Sequence, residues 1–313
     1  MSVFSFGSDP EFMLVKGGKY YSAINIIKGD IANRIKIDGH EFYWDNVLAE
    51  CAIKPGFTKE ETISNFRNCF QIYAEMVKPY KLVAQASEIY PASELADEKA
   101  RNAGCAPDNC AYEIKEKKPK KGVLSGTDLR TCGGHVHMGC DGEALHSDYW
   151  QCIVTVRLLD LFVGVPSLFI DHDPTSARRR VLYGKAGRFR PKPYGMEYRS
   201  LGNFWLASPK LVDLVYDLCK FTTDYVEEKK FDELYNFDEE MYWELPQGQL
   251  RKAYKCVGYK ENELRKCLDN NDKDKARAFM KIASNEMPKE LYKRIEEASA
   301  PIQYDFYKEW ELE

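Results

Sequence analysis

The spacing of apolar residues changes once along this chain, near residue 207, and that change limits the folds open to it. Upstream, short apolar runs alternate with polar residues at the two-residue period of a strand. Downstream, apolar residues recur at the spacing of a helix, with Leu211, Leu214, Val215, Leu218 and Phe221 on one face. Residues 1–207 are therefore expected to form an α+β body that carries the chemistry, and residues 208–313 a helical C-terminal region.

Within the first part, Val3–Phe6, Glu11–Val15 and Tyr20–Asn25 read as strands, with Gly17-Gly18 as a hairpin turn. Phe42–Ile53 reads as one strand region. Val47, Ala49, Cys51 and Ile53 share its apolar face, Glu50 lies opposite, and Asp45 sits near its start. Thr58 and Glu61 form a capping box for a helix bearing Ile63, Phe66, Phe70, Tyr73 and Val77, closed by Pro79. A short strand at Lys81–Ser87, a helix at Pro91–Asn102 and a strand at Leu129–Gly139 follow. Ser147 caps an expected helix running to Val163 with Pro166 beyond it. Asp171–Gly187 reads as a polar connection, and Met196–Leu201 as a further strand.

Composition removes several functions. The net charge is -4, and the one dense basic run, Lys115–Lys121, has no interleaved aromatics, so it reads as a solvated loop and no nucleic-acid partner is expected. The longest apolar stretch, Ile153–Ile170, is interrupted by Arg157, Asp160 and Pro166, so no membrane span is expected. The opening MSVFSFGSDPEF lacks a basic region followed by an apolar one, which points to a cytoplasmic location. Ten cysteines without a C-x-x-C pair read as reduced thiols rather than as disulfides or a zinc ribbon. No Walker-type or kinase signature occurs.

Four segments concentrate groups suited to chemistry. GSDPE (Gly7–Glu11) places Glu11 at a strand start after a turn. In WDNVLAEC, Glu50 sits in an apolar strand, where a buried acid needs an arginine or a metal as partner. In GGHVHMG, strand period puts His135 and His137 on one face, about 7 Å apart, between glycines that permit close approach. In the stretch from Arg178 to Arg199, Glu197 and Arg199 share a strand face below an arginine cluster: the acid suits a cation and the guanidinium suits phosphate oxygens. Each has a plainer reading, respectively an exposed turn acid, a half-wet strand, satisfied structural histidines and a surface ion pair. Together they supply what a nucleoside-triphosphate site without a P-loop requires: oxygen ligands for Mg²⁺, with a histidine shifting the preference toward Mn²⁺.

In order and spacing, these segments resemble the glutamine-synthetase-like superfamily in its glutamate–cysteine-ligase-like branch. They are closest to the phage-type carboxylate–amine ligases (amidoligases), over roughly residues 5–207. The matching pieces are Glu11 in GSDPEF, Asp45 and Glu50 in DNVLAE, the GGHVHMG strand and Glu197–Leu201 in EYRSL. The resemblance implies a curved, mainly antiparallel sheet flanked by helices, with ATP and Mg²⁺ (or Mn²⁺) on its concave face. It implies metal binding by Glu11, Glu50, Glu197 and one of His135 or His137, His135 being preferred for its place directly after the glycine pair. It implies phosphate contacts by Arg199 and some of Arg180, Arg188 and Arg190, with Lys185 beside them; Arg199, Arg188 and Asp45 would serve the reaction itself. The reaction implied is ligation of a carboxylate to an amine through an acyl-phosphate. The substrates would be small molecules or peptides, the protein a homo-oligomer as related ligases often are, and the location the host cytoplasm if phage-encoded. The glycine- and arginine-rich stretch 171–193 is the expected covering loop. Two other readings stay open: a metal-dependent hydrolase built on the His135/His137 pair, and a catalytically inactive binding protein of the same fold.

Overall fold

Antiparallel pairing organises the N-terminal two-thirds of the chain. The structure is a computed structural model that describes residues 3–101, 108–117, 127–141, 145, 149–228, 237–244, 250–256 and 261–312. Strands β1 (Phe4–Ser8), β2 (Glu11–Lys16), β3 (Lys19–Tyr21), β4 (Ile35–Ile37), β5 (His40–Asp45) and β6 (Leu48–Gly56) are followed by helix α1 (Lys59–Met76) and strands β7 (Lys81–Val83) and β8 (Ser87–Ile89). Then come β9 (Asp108–Cys110), β10 (Glu113–Lys117), β11 (Leu129–Thr131), β12 (Val136–Cys140), α2 (Tyr149–Leu159), α3 (Val165–Ile170), α4 (Ser176–Leu182), β13 (Arg188–Lys192), β14 (Gly195–Tyr198) and α5 (Pro209–Glu227). The large sheet runs β10-β9-β13-β14-β12-β1-β6-β2-β3, with β5 added to β6, β4 to β5 and β7 to β2. The fold is thus a mixed one with a large, mainly antiparallel sheet and several helices, as the alternating patterns predict.

Local chemistry explains the edges of these elements and several departures from expectation. The β2–β3 hairpin turns on Gly17 and Gly18, both at positive φ (57° and 73°), as a tight two-residue turn demands. The Phe42–Ile53 region is not one strand. Asn46 takes a left-handed conformation (φ 58°) and folds it into the β5–β6 hairpin, pairing Asp45 with Leu48 and Tyr43 with Glu50. Thr58 does cap α1, accepting from the Glu61 N–H at 3.1 Å, and the Glu61 carboxylate accepts from the Phe57 N–H. From the buried face of α1, the Tyr73 hydroxyl approaches the main-chain carbonyls of both Tyr43 and Glu50 at 3.0 Å, pinning the hairpin.

The expected helix at Pro91–Asn102 is instead two 3₁₀ turns, Ala92–Leu95 and Glu98–Arg101, before residue 102, which lies outside the described residues. The expected strand Leu129–Gly139 divides into β11, paired with β8, and β12 in the large sheet. The Ser147 cap and most of the Lys115–Lys121 run lie outside the described residues. The following helix does not stop before Pro166. A π-turn at Asp160–Gly164 absorbs the break, and Pro166 sits in the first turn of α3, where a missing N–H costs nothing. This Cys152–Ile170 segment has the length and apolar character of a membrane span, but 94% of it is buried inside the protein. Asp171–Gly187 is not a loop either, since α4 occupies its middle.

Ser208 caps α5 as expected. The region beyond is not purely helical, because Phe237–Glu244 and Leu250–Cys256 pair as an antiparallel hairpin. Helices at Glu261–Asp269, Lys273–Glu286, Lys289–Ala298 and Phe306–Trp310 complete the chain. One hydrophobic core spans residue 207. The Trp310 indole donates to the Leu206 carbonyl at 2.7 Å, and its ring meets Phe70 edge-on at 5.0 Å.

Asp160, fully buried in the π-turn, accepts from the Tyr198 hydroxyl at 2.7 Å. Burial pushes its carboxyl up to about 7, against the opposing pull of that hydroxyl. The folded state therefore holds this proton to higher pH than the unfolded chain does. The stabilisation is complete below about pH 4 and is lost as pH rises toward 7. Asp160→Asn should flatten this part of the curve, so that the gap in melting temperature between variant and wild type widens in the variant's favour from pH 4 to pH 7. Calorimetry across that range reads it directly, and a constant gap would show that Asp160 does not titrate there.

Candidate active site

The sheet brings the acids, the histidines and the basic residues onto one face. In the ladder register, Arg190 of β13 stands opposite Glu197 of β14, Glu197 opposite His137 of β12, and His137 opposite Gly7 of β1. A second row places Glu11 of β2 opposite Glu50 of β6, and Glu50 opposite Tyr43 of β5. The two rows converge on a cavity of about 690 Å³, whose lining includes Glu11, Asp45, Glu50, His135, His137, Arg190 and Arg199 from the residues singled out in the sequence. Glu197 is fully buried against it. Its carboxylate accepts from Arg199 in a short contact, and Lys192 Nζ (2.8 Å) and Arg190 Nη1 (3.4 Å) lie beside it. The Arg199 guanidinium lies over the Tyr183 ring, 5.3 Å from its centroid.

The residue that sequence reading missed is Asp9. Its Oδ1 lies 3.1 Å from both His135 Nδ1 and His137 Nε2. Asp9, His135 and Glu197 each present a donor atom within 4.8 Å of the other two. The signal was present in GSDPE, where two acids stand two residues apart, but only the second was marked. Arg34, Tyr43, Lys192 and Tyr194 also line the cavity; nothing in their local sequence distinguishes them from ordinary strand and turn residues.

Three expected phosphate ligands lie elsewhere. Arg180 is buried, with its guanidinium donating to the Gly184 carbonyl at 3.2 Å. Lys185 reaches the Asp269 carbonyl at 3.4 Å. Arg188 pairs with Asp108 at 3.0 Å, and Asp108 in turn lies 3.9 Å from Arg199 Nε, so the Arg188 guanidinium reaches toward the site through that acid. The triple arginine falls on helix α4 rather than a covering loop, with Arg179 and Arg180 buried and Arg178 half-buried. The Arg179 guanidinium serves the main chain, donating to the carbonyls of Cys132 and Leu201.

The electrostatics of the cavity are unbalanced. Directly opposed like charges destabilise a sheet, and half-buried Glu11 stands opposite buried Glu50. Burial, with the charge of Asp45 added, pushes the Glu11 carboxyl up to about 8. Glu50 is raised well above the usual range by burial and then by Glu11, Asp9 and Asp45, although the Tyr43 hydroxyl donates to it at 2.7 Å. Asp45 is raised by burial, tempered by the Asn46 N–H and the charge of Arg190. Burial also works to raise Asp9, but His137 and His135 outweigh it and hold the carboxyl well below the usual range. Burial and the neighbouring Arg199 hold His135 down at about 4, so at neutral pH it is an uncharged imidazole. Its buried Nε2 has no hydrogen-bond partner among the described residues.

This donor set suits a hard divalent cation. Carboxylates dominate, one neutral imidazole has a spare nitrogen, and the acids are held in a protonation balance that a cation would reverse. Asp9, His135 and Glu197 could hold one ion, with Glu11 and Glu50 beside it.

The family profile described as Phage phiEco32-like COOH.NH2 ligase-type 2 matches residues 126–308, more than half of the chain. The chain belongs to this family. No curated protein matches it. For this ligase-family member, the matched span extends beyond the resemblance read from the sequence at its C-terminal end. It takes in His135, His137, Arg190, Glu197 and Arg199 but also the C-terminal helices, in which no likeness was recognised. Asp9, Glu11, Asp45 and Glu50 lie N-terminal to it and are brought to the ligase-family residues by the pairing of β1 with β12 and β6 and by the hydrogen bonds between Glu11 and Gly133.

Proposed function

We propose that this protein is an ATP-dependent ligase that joins a carboxylate to an amine through an acyl-phosphate, on a sheet of the glutamine-synthetase-like kind. The observation that carries this reading is the polarised cavity. Asp9, Glu11, Asp45 and Glu50 contribute carboxyl groups able to take up a cation, Arg190, Lys192 and Arg199 contribute positive charge, and both groups face one space from separate strands. A hydrolytic site built on His135 and His137 would call for more imidazoles around them. Instead both rings share Asp9, while His40 bonds the Lys54 N–H and His172 the Ala300 carbonyl, away from the cavity.

Bound Mg²⁺ or Mn²⁺ would supply charge neutralisation for the transferred phosphoryl group. Asp9, His135, Glu11, Glu50 and Glu197 are the residues that would hold it. Arg199, Arg190 and Lys192 orient the triphosphate and meet the negative charge on the equatorial oxygens. An oxygen of the acid substrate attacks the γ-phosphorus and ADP leaves. The amine nitrogen then bonds to the acyl carbon, and the phosphate leaves with the acyl oxygen. The ammonium of the incoming amine must first lose a proton. Asp45, a half-buried carboxyl with raised proton affinity, would accept it. The reaction also needs water kept from the acyl-phosphate, which it would otherwise hydrolyse.

ADP formation from ATP with Mg²⁺ or Mn²⁺, measured against pooled amino acids, polyamines and short peptides, tests the reading. Release that requires both an acid and an amine supports it. Hydrolysis of a substrate by the metal-loaded protein without any nucleotide would replace it with the hydrolase.

A further inference from the structure

The cations that line the cavity fall into two groups. Arg190, Lys192 and Arg199 all gather on Glu197. Arg34 lines the cavity apart from them. It directly precedes β4, and between β4 and β13, the strand of Arg190 and Lys192, the sheet interposes β14, β12, β1, β6 and β5. The ligation chemistry leaves Arg34 unused.

The turn that carries Arg34 is built to hold it. The Asp30 carboxylate accepts from the N–H groups of Ala32 (2.9 Å) and Asn33 (2.8 Å), which fixes the bend. The Gly29 carbonyl accepts from the Trp44 N–H at 3.0 Å, and a Cβ on Gly29 would lie 2.6 Å from the Phe42 carbonyl oxygen, so glycine lets the turn sit close against β5. Arg34 Nε donates to the Ile31 carbonyl at 3.3 Å. The guanidinium lies over the ring of buried Tyr43, 4.1 Å from its centroid, and the Tyr43 hydroxyl donates to Glu50 of the cavity.

Local partners do not use up its charge. Arg34 Nη1 donates to Glu41 at 2.9 Å, but Lys36 approaches the same carboxylate at 3.1 Å, so two cations share one acid. Arg34 Nη2 meets no acceptor among the described residues. A guanidinium held on a ring at the wall of a cavity, with donors to spare, suits a carboxylate.

We infer that Arg34 is a specificity-determining residue: it holds a substrate carboxylate that takes no part in the reaction. One of the two molecules to be joined therefore carries a spare carboxylate. A dicarboxylic acid brings it on the acid side, an amino acid or peptide on the amine side. This rests on the ligase reading above and names the class of substrate that the site selects.

The test measures ADP release from Mg-ATP with four combinations of acid and amine. The acids are succinate and glutarate, or propionate and butyrate; the amines are amino acids and short peptides, or polyamines. Release should be confined to combinations that contain a spare carboxylate, and the combination that works tells which substrate brings it. Arg34→Gln should raise the KM of that substrate about tenfold or more, with the KM values of ATP and of the other substrate unchanged. Arg34→Lys, which keeps the charge without the planar fork, should recover part of the loss. Equal release from a monocarboxylic acid with a polyamine would overturn the inference. So would unchanged KM values in Arg34→Gln, or a raised KM for ATP, which would move Arg34 to the nucleotide; all three outcomes leave the ligase reading standing. Absence of acid- and amine-dependent release from every combination would overturn that reading, and this inference with it.

Discussion

Glu197→Gln and Arg199→Ala should each lower acid- and amine-dependent ADP release by about a hundredfold or more, the usual cost of removing a preorganised charge from a phosphoryl-transfer site. The two residues are bonded to each other, and both are almost completely buried. The effects should nevertheless differ in kind. Without Arg199, Glu197 keeps Lys192 and Arg190 as neighbours, so the fold has charge compensation while the phosphate loses its innermost guanidinium. With glutamine at 197, three cations lose a common counterion, which costs stability as well as turnover. Arg199→Ala should therefore lose activity at nearly unchanged melting temperature, whereas Glu197→Gln should lose both. Full turnover in either variant would remove that residue from the reaction.

The second large effect reverses the usual relation between mutation and stability. Glu11 and Glu50 face each other across one rung of the ladder, and burial, with the charge of nearby Asp45 added, raises the Glu11 carboxyl to about 8. A carboxyl whose folded-state value lies above its unfolded one stabilises the fold in acid. It progressively loses that contribution as pH rises from about 4 through 8. Glu11→Gln should thus raise the melting temperature of metal-free protein at pH 8 by roughly 5 °C. It should also remove most of the stabilisation that saturating Mg²⁺ or Mn²⁺ gives wild type, about 2.7 kcal/mol at a hundredfold excess over Kd. Differential scanning calorimetry with and without metal gives both numbers. A variant less stable than wild type in the absence of metal would mean that the opposed acids are not the source of strain.

How much of this was legible beforehand depends on whether the signal was local. Strand period placed Glu50 opposite an apolar face, put His135 and His137 on one side and paired Glu197 with Arg199, because alternation is a property of consecutive residues. The capping box at Thr58 and the N-cap at Ser208 were equally local. The arginines misled because composition carries no direction. Arg178, Arg179 and Arg180 look like a phosphate cluster until α4 turns two of them into the core, where main-chain carbonyls satisfy them. The 42–53 hairpin was hidden by one left-handed asparagine. Lys192 and Tyr194 matter only because of where the β13–β14 turn sits over Gly139, a relation between strands that no window of sequence contains.

Strand β1 lies in the middle of the sheet, between β12 and β6. Residues 4–8 are made before residues 136–140 and must therefore wait for them before both of their edges are paired. Until then the nascent chain carries an open apolar edge, a template for pairing with other chains. The same arrangement makes the chemistry all-or-none: Asp9 cannot meet His135 and Glu197 until β1, β12 and β14 are side by side. A partly made or partly folded chain has no assembled acid–histidine cluster.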